Sequence, residues 1–391
     1  MVSIGEKLGG GIMADKLKVP FPYFGGKKDV ASLIWARLGN PPNYIEPFFG
    51  SGATLLLRPD PPSVETANDL DCYLANFWRA TSRDPDAVAD HVDGPVNETD
   101  LHARHRWLVL SDDAATFRDR MRTDPDYFDP KIAGWWCWGL CCWIGSGWCA
   151  PDHLRRDGLP LERVRGEGRG LNAKRPRSHR APSSDGAAPS LPGVLSQQIP
   201  LIDHTRGGHR AATNLTQGRP QLGDAYDIGR GVHSHGDLGT CEARRRWLYE
   251  WFGRLRDRLR NVRVCCGDWL RVCDSESVTT RLGVTGIFLD PPYGAAAGRS
   301  AKLYSQDSLT VAEAVRAYCL ERGTNRLMRI CLAGYAGEGH EVLEQNGWSV
   351  VEWRANGGYG NNSATGKANA RKERLWFSPH CIADRGLFDA A

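Results

Sequence analysis

The stretch NYIEPFFGSGATLLL, residues 43–57, decides the fold. Its first residues read as a short strand, Pro47 to Gly52 as a glycine turn, and the apolar run from Ala53 as a helix. SVETAND (63–69) follows as a second strand ending on an acid, and LDCYLANFWRA (70–80) as the next helix. On the N-terminal side, VASLIWARL (30–38) also reads as a helix. Strands alternating with helices at this spacing imply a parallel sheet with crossover helices, an α/β architecture.

The same alternation returns late in the chain. A basic amphipathic helix within ARRRWLYEWFGRLRDRLRNVR (243–263) leads into the strand VRVCCGD (262–268). VTGIFLDPPY (284–293) is a strand running into a turn. A helix around 308–322, a strand at RLMRICLAG (326–334), a helix at GHEVLEQNG (339–347) and strands at WSVVEWR (348–354) and ERLWFSP (373–379) complete this zone. Between the two zones the pattern changes. Residues 81–150 look helical and end in IAGWWCWGLCCWIGSGWC (132–149), which holds five of the chain's 14 tryptophans. That stretch reads either as a helix packed in the core or as a stacking platform for bases. The spacing of Trp135, Trp138 and Cys142 favours packing. Residues 151–240 are rich in Gly, Pro, Arg, Ser and His, with little periodicity, and are expected to be loop-like. The expected organisation is a flexible N-terminus (1–18), one sheet domain contributed by 19–80 and 241–391, and a helical and loop region (81–240) inserted into it.

The 391 residues suffice for one elaborated domain or two, and an apolar fraction of 41% supports a real core. No run of about 18 apolar residues occurs, so no transmembrane helix is expected. The N-terminal MVSIGEKLGGGIMADKLKVP lacks an apolar stretch of signal-peptide type, and a cytoplasmic location is expected. The 12 cysteines include the adjacent pairs Cys141-Cys142 and Cys265-Cys266, which read as reduced core residues. Cys137, Cys141, Cys142 and Cys149 contain no paired C-x-x-C and no histidine, so no metal site is expected. Net charge is only +4, but residues 151–180 carry nine lysines and arginines against four acids. Together with the basic helix this suits a polyanionic partner.

The chemistry concentrates at Asp290-Pro291-Pro292-Tyr293. The acid directly follows an apolar strand, at the sheet edge where ligands of open α/β sheets bind. An exocyclic amine on a planar base is a poor nucleophile, because its lone pair is delocalised into the ring. A carboxylate and a fixed carbonyl can accept its two hydrogens and stabilise the positive charge that develops. Two prolines make the turn rigid, an aromatic ring can stack on the base, and the base must leave its duplex to be reached. The second element is Glu46-Pro47-Phe48-Phe49-Gly50-Ser51-Gly52-Ala53, a glycine turn whose backbone a ligand can approach closely. It is neither G-x-G-x-x-G nor a Walker loop. The third is Asp69, a strand-end acid of the kind that binds ribose hydroxyls, or alternatively the N-cap of the following helix.

Taken together these residues resemble the Dam-like, D12-class family of DNA adenine N6-methyltransferases. The resemblance covers roughly 19–80 and 241–380, and includes the order of motifs along the chain. It implies a Rossmann-like, S-adenosylmethionine-dependent methyltransferase fold with an inserted target-recognition region. It further implies transfer of a methyl group from S-adenosylmethionine to adenine N6 at a specific site in double-stranded DNA, with the target base flipped out. The family's aromatic and lysine that help bind the cofactor match Tyr23 and Lys27 in Tyr23-Phe24-Gly25-Gly26-Lys27. Glu46, Phe49, Gly50 and Gly52 belong to its cofactor turn, Asp69 matches its ribose-binding acid, and Asp268 of CCGDWL stands where related enzymes contact the cofactor. Asp290, Pro291, Pro292 and Tyr293 match its catalytic motif, with Asp290 also bordering the cofactor. Arg155, Arg156, Arg175 and Arg177 are candidate DNA contacts. The segment WIGSGWCAPDHLRRDG lacks the asparagine of GATC-reading members, so that specificity is not carried over. Other readings are methylation of RNA adenine or cytosine N4, and a degenerate DNA-binding protein with this fold. Asp290 argues against cytosine N4, and the intact acid and glycine turn argue against degeneracy. The expected protein is a monomer, serving a restriction-modification system or acting alone in a phage or host.

Overall fold

The computed structural model describes residues 17–23, 26–59, 64–124, 126–143, 148–149, 241–292, 311–353 and 373–383. Seven strands form one sheet: β1 (Asn43–Glu46), β2 (Val64–Asp69), β3 (Val262–Cys266), β4 (Thr285–Leu289), β5 (Met328–Tyr335), β6 (Ser349–Glu352) and β7 (Glu373–Phe377). Their order is β3-β2-β1-β4-β5-β7-β6. The first five in that order are parallel to one another, with Ile45 opposite Thr66 on one side and Ile287 on the other. β7 lies antiparallel to both β5 and β6. The alternation of strand and helix therefore foretells the parallel part, but not the reversed last strand. The result is a mixed α/β, mostly parallel sheet compatible with a methyltransferase fold.

Helices cover both faces. Side chains at odd and even strand positions go to different cores, as a period of two requires. Tyr44, Phe288, Cys331, Leu375 and Phe377 join one cluster with Trp35, Leu74, Trp78 and Phe252. Ile45, Ile287, Leu289, Ile330, Leu332 and Trp376 join the other, with Val315, Tyr318 and Cys319. The first cluster is contributed by α1 (Ala31–Leu38), α3 (Cys72–Arg83), α7 (Pro130–Cys142) and α8 (Cys241–Leu259). The second is contributed by α9 (Val311–Arg322). Double coverage explains why β1 and β4 are buried along their whole length.

The described residues between β2 and β3 contribute helices only: α3, α4 (Pro85–Val92), α5 (Glu98–Leu110), α6 (Asp112–Thr123), α7 and α8. Their starts are chemically marked. Asp71, Asp84, Asn97, Ser111 and Asp129 each cap the helix that follows, and Pro85 and Pro130 occupy first-turn positions. Helix α7 settles how the tryptophan stretch is used. Trp136 and Trp138 are buried, and Trp138 and Cys142 pack against Leu101 of α5. Trp135 is half-buried, with the Lys131 ammonium and the Arg104 guanidinium against its ring. Gly134 and Gly139 are notches: a methyl at Gly139 would lie 1.9 Å from the ring of Trp148. The Cys137 and Cys141 thiols both face the Pro20 carbonyl and are buried.

The helix read from Ala53 is present in a short form, and one other reading needs correction. The α2 helix (Ala53–Leu56) is a single turn. GHEVLEQNG forms a 3-10 helix, His340–Asn346, rather than an α-helix, because left-handed glycines at 339 and 347 close it at both ends. No helix among the described residues is long and apolar enough to cross a membrane.

Candidate active site

The chain leaves β1 towards β2 and later returns to place β4 on β1's other side. A crevice opens at such a reversal, outside the carboxyl ends of the strands. The glycine turn, Asp69, Asp268 and Asp290 all emerge at this edge, after β1, β2, β3 and β4 respectively.

The turn after β1 is tied to the end of β2. The Phe49 N–H donates to the Asn68 carbonyl at 2.9 Å, and the Gly50 N–H donates to Asp69 Oδ2 at 3.1 Å. Gly50 and Gly52 have φ of 49° and 67°, values that L side chains rarely adopt. A methyl at Gly50 would lie 2.8 Å from the Tyr23 ring, and one at Gly52 would lie 2.7 Å from the Phe49 ring. Tyr23 thus lies against the turn. Phe49 is buried against Trp78, whose indole N–H donates to the Gly50 carbonyl at 3.0 Å. The third strand is tied in as well. Asn68 Nδ2 donates to the carbonyls of Pro47 and Gly267, and the Gly267 N–H donates to the Asp69 carbonyl at 3.0 Å.

Asp69 does not cap α3; Asp71 does, accepting from the Tyr73 N–H at 2.8 Å. Asp69 instead accepts the amides of Gly50 and Asp71. Burial pushes its carboxyl up to about 6, and the negative charge of Asp71 adds to the rise despite those amides. Asp268 is exposed, two residues beyond β3, and its carboxylate accepts from the Leu270 N–H at 2.9 Å. Glu46 is buried and takes the Tyr44 hydroxyl at 3.0 Å. Burial, and then the charge of Asp290, hold its carboxyl well above the usual range, against the lowering effect of the Tyr44 bond.

Asp290 follows β4 directly, with Pro291 buried and Pro292 half-buried. Lys27 Nζ lies 2.9 Å from both of its carboxylate oxygens. The lysine side chain is 2% exposed and that of Asp290 19%. The sequence assigns Lys27 to the cofactor, whereas here it joins the acid that comes 263 residues later. Residues 23 and 27 thereby touch both halves of the site, Tyr23 at Gly50 and Lys27 at Asp290. Trp353, just beyond β6, completes this corner, its ring centroid 5.9 Å from Lys27 Nζ. Sequence reading missed Trp353, Asn68 and Asp71. Asn68 and Asp71 flank Asp69, whereas nothing in WSVVEWR marks Trp353 as a neighbour of the acid. Tyr293, Arg155, Arg156, Arg175 and Arg177 lie outside the described residues. Among those described, no cluster of His, Cys, Asp and Glu has metal-binding geometry.

A mostly parallel sheet that gathers a glycine turn, a strand-end acid and an acid-proline-proline turn along one edge is an α/β arrangement compatible with a methyltransferase fold. Residues 23–119 match the family model described as D12 class N6 adenine-specific DNA methyltransferase. The match contains Tyr23, Lys27, the glycine turn and Asp69, and ends before Asp290 is reached. It supports adenine methylation of DNA in general terms, and so a transferase. No curated protein matches the chain.

Proposed function

We propose that this protein methylates adenine N6 at a specific sequence in double-stranded DNA, using S-adenosylmethionine, in a Rossmann-like fold whose residues 81–240 form the target-recognition region. The observation that carries the reading is the bond of Lys27 to Asp290. It joins a segment inside the family match to an acid-proline-proline turn outside it. When bound, S-adenosylmethionine supplies the methyl group. The residues present suit it: Asp69 is a strand-end carboxylate, an acceptor of the kind ribose hydroxyls need, beside a turn with no side chain at Gly50 or Gly52. Tyr23, Phe49 and Glu46 support that turn, and Asp268 borders it.

Asp290 accepts one N6 hydrogen of the flipped adenine and the Pro291 carbonyl accepts the other. Each carboxylate oxygen has two lone pairs, so both can serve Lys27 and still leave acceptor capacity for the amine. Lys27 fixes the plane of the carboxylate, Pro291 and Pro292 fix the carbonyl, and Tyr293 stacks on the base. Contacts to DNA phosphates and bases are assigned to the arginines at 155, 156, 175 and 177, with the basic helix α8 adding positive charge. The protein works as a monomer in the cytoplasm, with a restriction partner or alone in a phage or host. RNA adenine and cytosine N4 are the competing substrates, and the family match favours adenine in DNA.

Asp290→Ala is expected to abolish transfer of tritiated methyl to DNA while calorimetric binding of S-adenosylmethionine survives. Transfer that persists in this variant refutes the assignment. Expression in a methylation-free host, followed by long-read detection of modified adenine, would reveal the target sequence. No modified adenine in that host would count against DNA as the substrate.

A further inference from the structure

One pair of side chains near this edge has no part in the chemistry above. Cys266 ends β3 and Cys72 begins α3, and the two sulfurs lie 3.6 Å apart, with the Cys266 S–H directed at Cys72. Register makes Cys266 the neighbour of Asp69, and Cys72 follows Asp69 by three residues. Cys72 is 5% exposed and Cys266 is half-exposed.

The surroundings divide the two thiols. Cys72 sits at the N-terminus of α3, where the helix dipole favours an anion. The bond from Cys266 holds the Cys72 thiol down at about 7, helped by Arg122 and Arg118, against burial and the charge of Asp71. The same contact, together with burial and the charges of Asp69 and Asp71, pushes Cys266 up. The contact therefore favours the proton on Cys266 and the thiolate on Cys72.

We propose that Cys72 and Cys266 are a redox-modification site, a dithiol that a peroxide converts to a disulfide and that thereby loosens the Asp69 end of the cofactor site. The Cys72 thiolate attacks one oxygen of hydrogen peroxide, an S–O bond forms, the O–O bond breaks and hydroxide leaves. Cys266 sulfur then attacks Cys72 sulfur, an S–S bond forms, the S–O bond breaks, and the departing hydroxide takes the Cys266 proton as water. The two sulfurs are oxidised, the peroxide is reduced, and a small thiol reverses the change.

A disulfide needs a sulfur separation of about 2.05 Å, so the pair must close by about 1.5 Å from its present 3.6 Å. Cys72 moves with the first turn of α3, which only Leu70 and Asp71 separate from Asp69 at the end of β2. The closure pulls on the backbone whose carboxylate receives the amides of Gly50 and Asp71. Binding at Asp69 and oxidation of the pair then oppose each other reciprocally.

The test uses the full reduced chain treated with hydrogen peroxide, followed by peptide mapping, hydrogen exchange and calorimetry with S-adenosylmethionine. The expected result is a 72–266 cross-link that is lighter by two hydrogens, reversed by dithiothreitol and absent from Cys266→Ser but present in Cys265→Ser. Exchange should quicken in peptides covering 47–52 and 69–75, and affinity should fall about fivefold or more. Failure of the cross-link to form in the folded protein overturns the proposal, and so does a cross-link that leaves exchange in both peptides unchanged. The affinity arm rests on the proposed cofactor. If the reduced protein binds no S-adenosylmethionine, the proposed function fails, while the cross-link and exchange arms still decide the redox reading.

Discussion

Replacing Lys27 with methionine removes one partner of a buried ion pair and keeps the length of the side chain. Removing one partner of a fully buried pair costs about 3–5 kcal/mol, mainly because the remaining charge is stranded. Here the lysine is 2% exposed but the Asp290 side chain is 19% exposed, so water recovers part of the loss. A cost of about 2–3 kcal/mol is expected. If the pair accounts for that cost, it must vanish when the charge on Asp290 is already gone. In an Asp290→Asn background, Lys27→Met should therefore destabilise by far less, leaving a coupling energy of about 2 kcal/mol across the four proteins. Urea titration followed by tryptophan fluorescence reads the stabilities. A second measurement is methyl transfer. If the carboxylate is misoriented to the same extent in the transition state, about 2 kcal/mol corresponds to a rate loss of roughly 30-fold. Additive effects within about 0.5 kcal/mol would refute the argument. They would mean that Lys27 matters as packing and not as the partner of Asp290.

Other perturbations reach separate parts of the same edge. Gly50→Ala should destabilise by about 1–3 kcal/mol, from the left-handed backbone and the contact with Tyr23, and a wild-type urea midpoint would contradict it. Gly139→Ala must expel the Trp148 ring that now lies 1.9 Å from the added methyl, costing about 1–3 kcal/mol. Near-UV circular dichroism should change, and an unchanged spectrum would show that the notch is not filled. The Asp69 carboxyl, raised to about 6, binds its proton more tightly in the folded chain than in the unfolded one. Its contribution to stability is therefore present in acid and lost as pH rises through 6. If Asp69 holds the cofactor's ribose as proposed, affinity runs the other way, because the ionised form is much the better acceptor for ribose hydroxyls. Affinity should fall about tenfold from pH 7 to pH 5 in calorimetry, and Asp69→Asn should flatten that dependence. A steep dependence that survives in the asparagine variant would remove Asp69 from the site.

Much of the sheet was legible because strands such as β4 and β5 are short runs rich in apolar residues between turn signals, and because the helices carry marked starts. The glycine turn and Asp290 were legible for a chemical reason, since few other residues serve at those positions. Partnership was much less legible. No local pattern tells that Lys27 reaches Asp290, that Trp353 stands beside them, or that Cys266 meets Cys72, because each contact joins residues brought together only by the strand order. The reversal of β7 was hidden for the same reason, since ERLWFSP reads equally well in either direction.

That strand order also sets a timetable for synthesis. β1 and β2 emerge from the ribosome together, but β3 and β4, which flank them in the sheet, lie some two hundred residues further on. At about 5–20 residues per second, Asp290 follows Lys27 by roughly 15–50 s. During that interval a two-stranded ribbon, too small to be stable alone, shows both open edges to the cell. The helices α3 to α7 are made in the same interval and pack locally, so they are the natural shelter for it. Substitutions that weaken α3 or α7 are therefore expected to lower the yield of soluble protein more than their effect on the finished molecule would suggest.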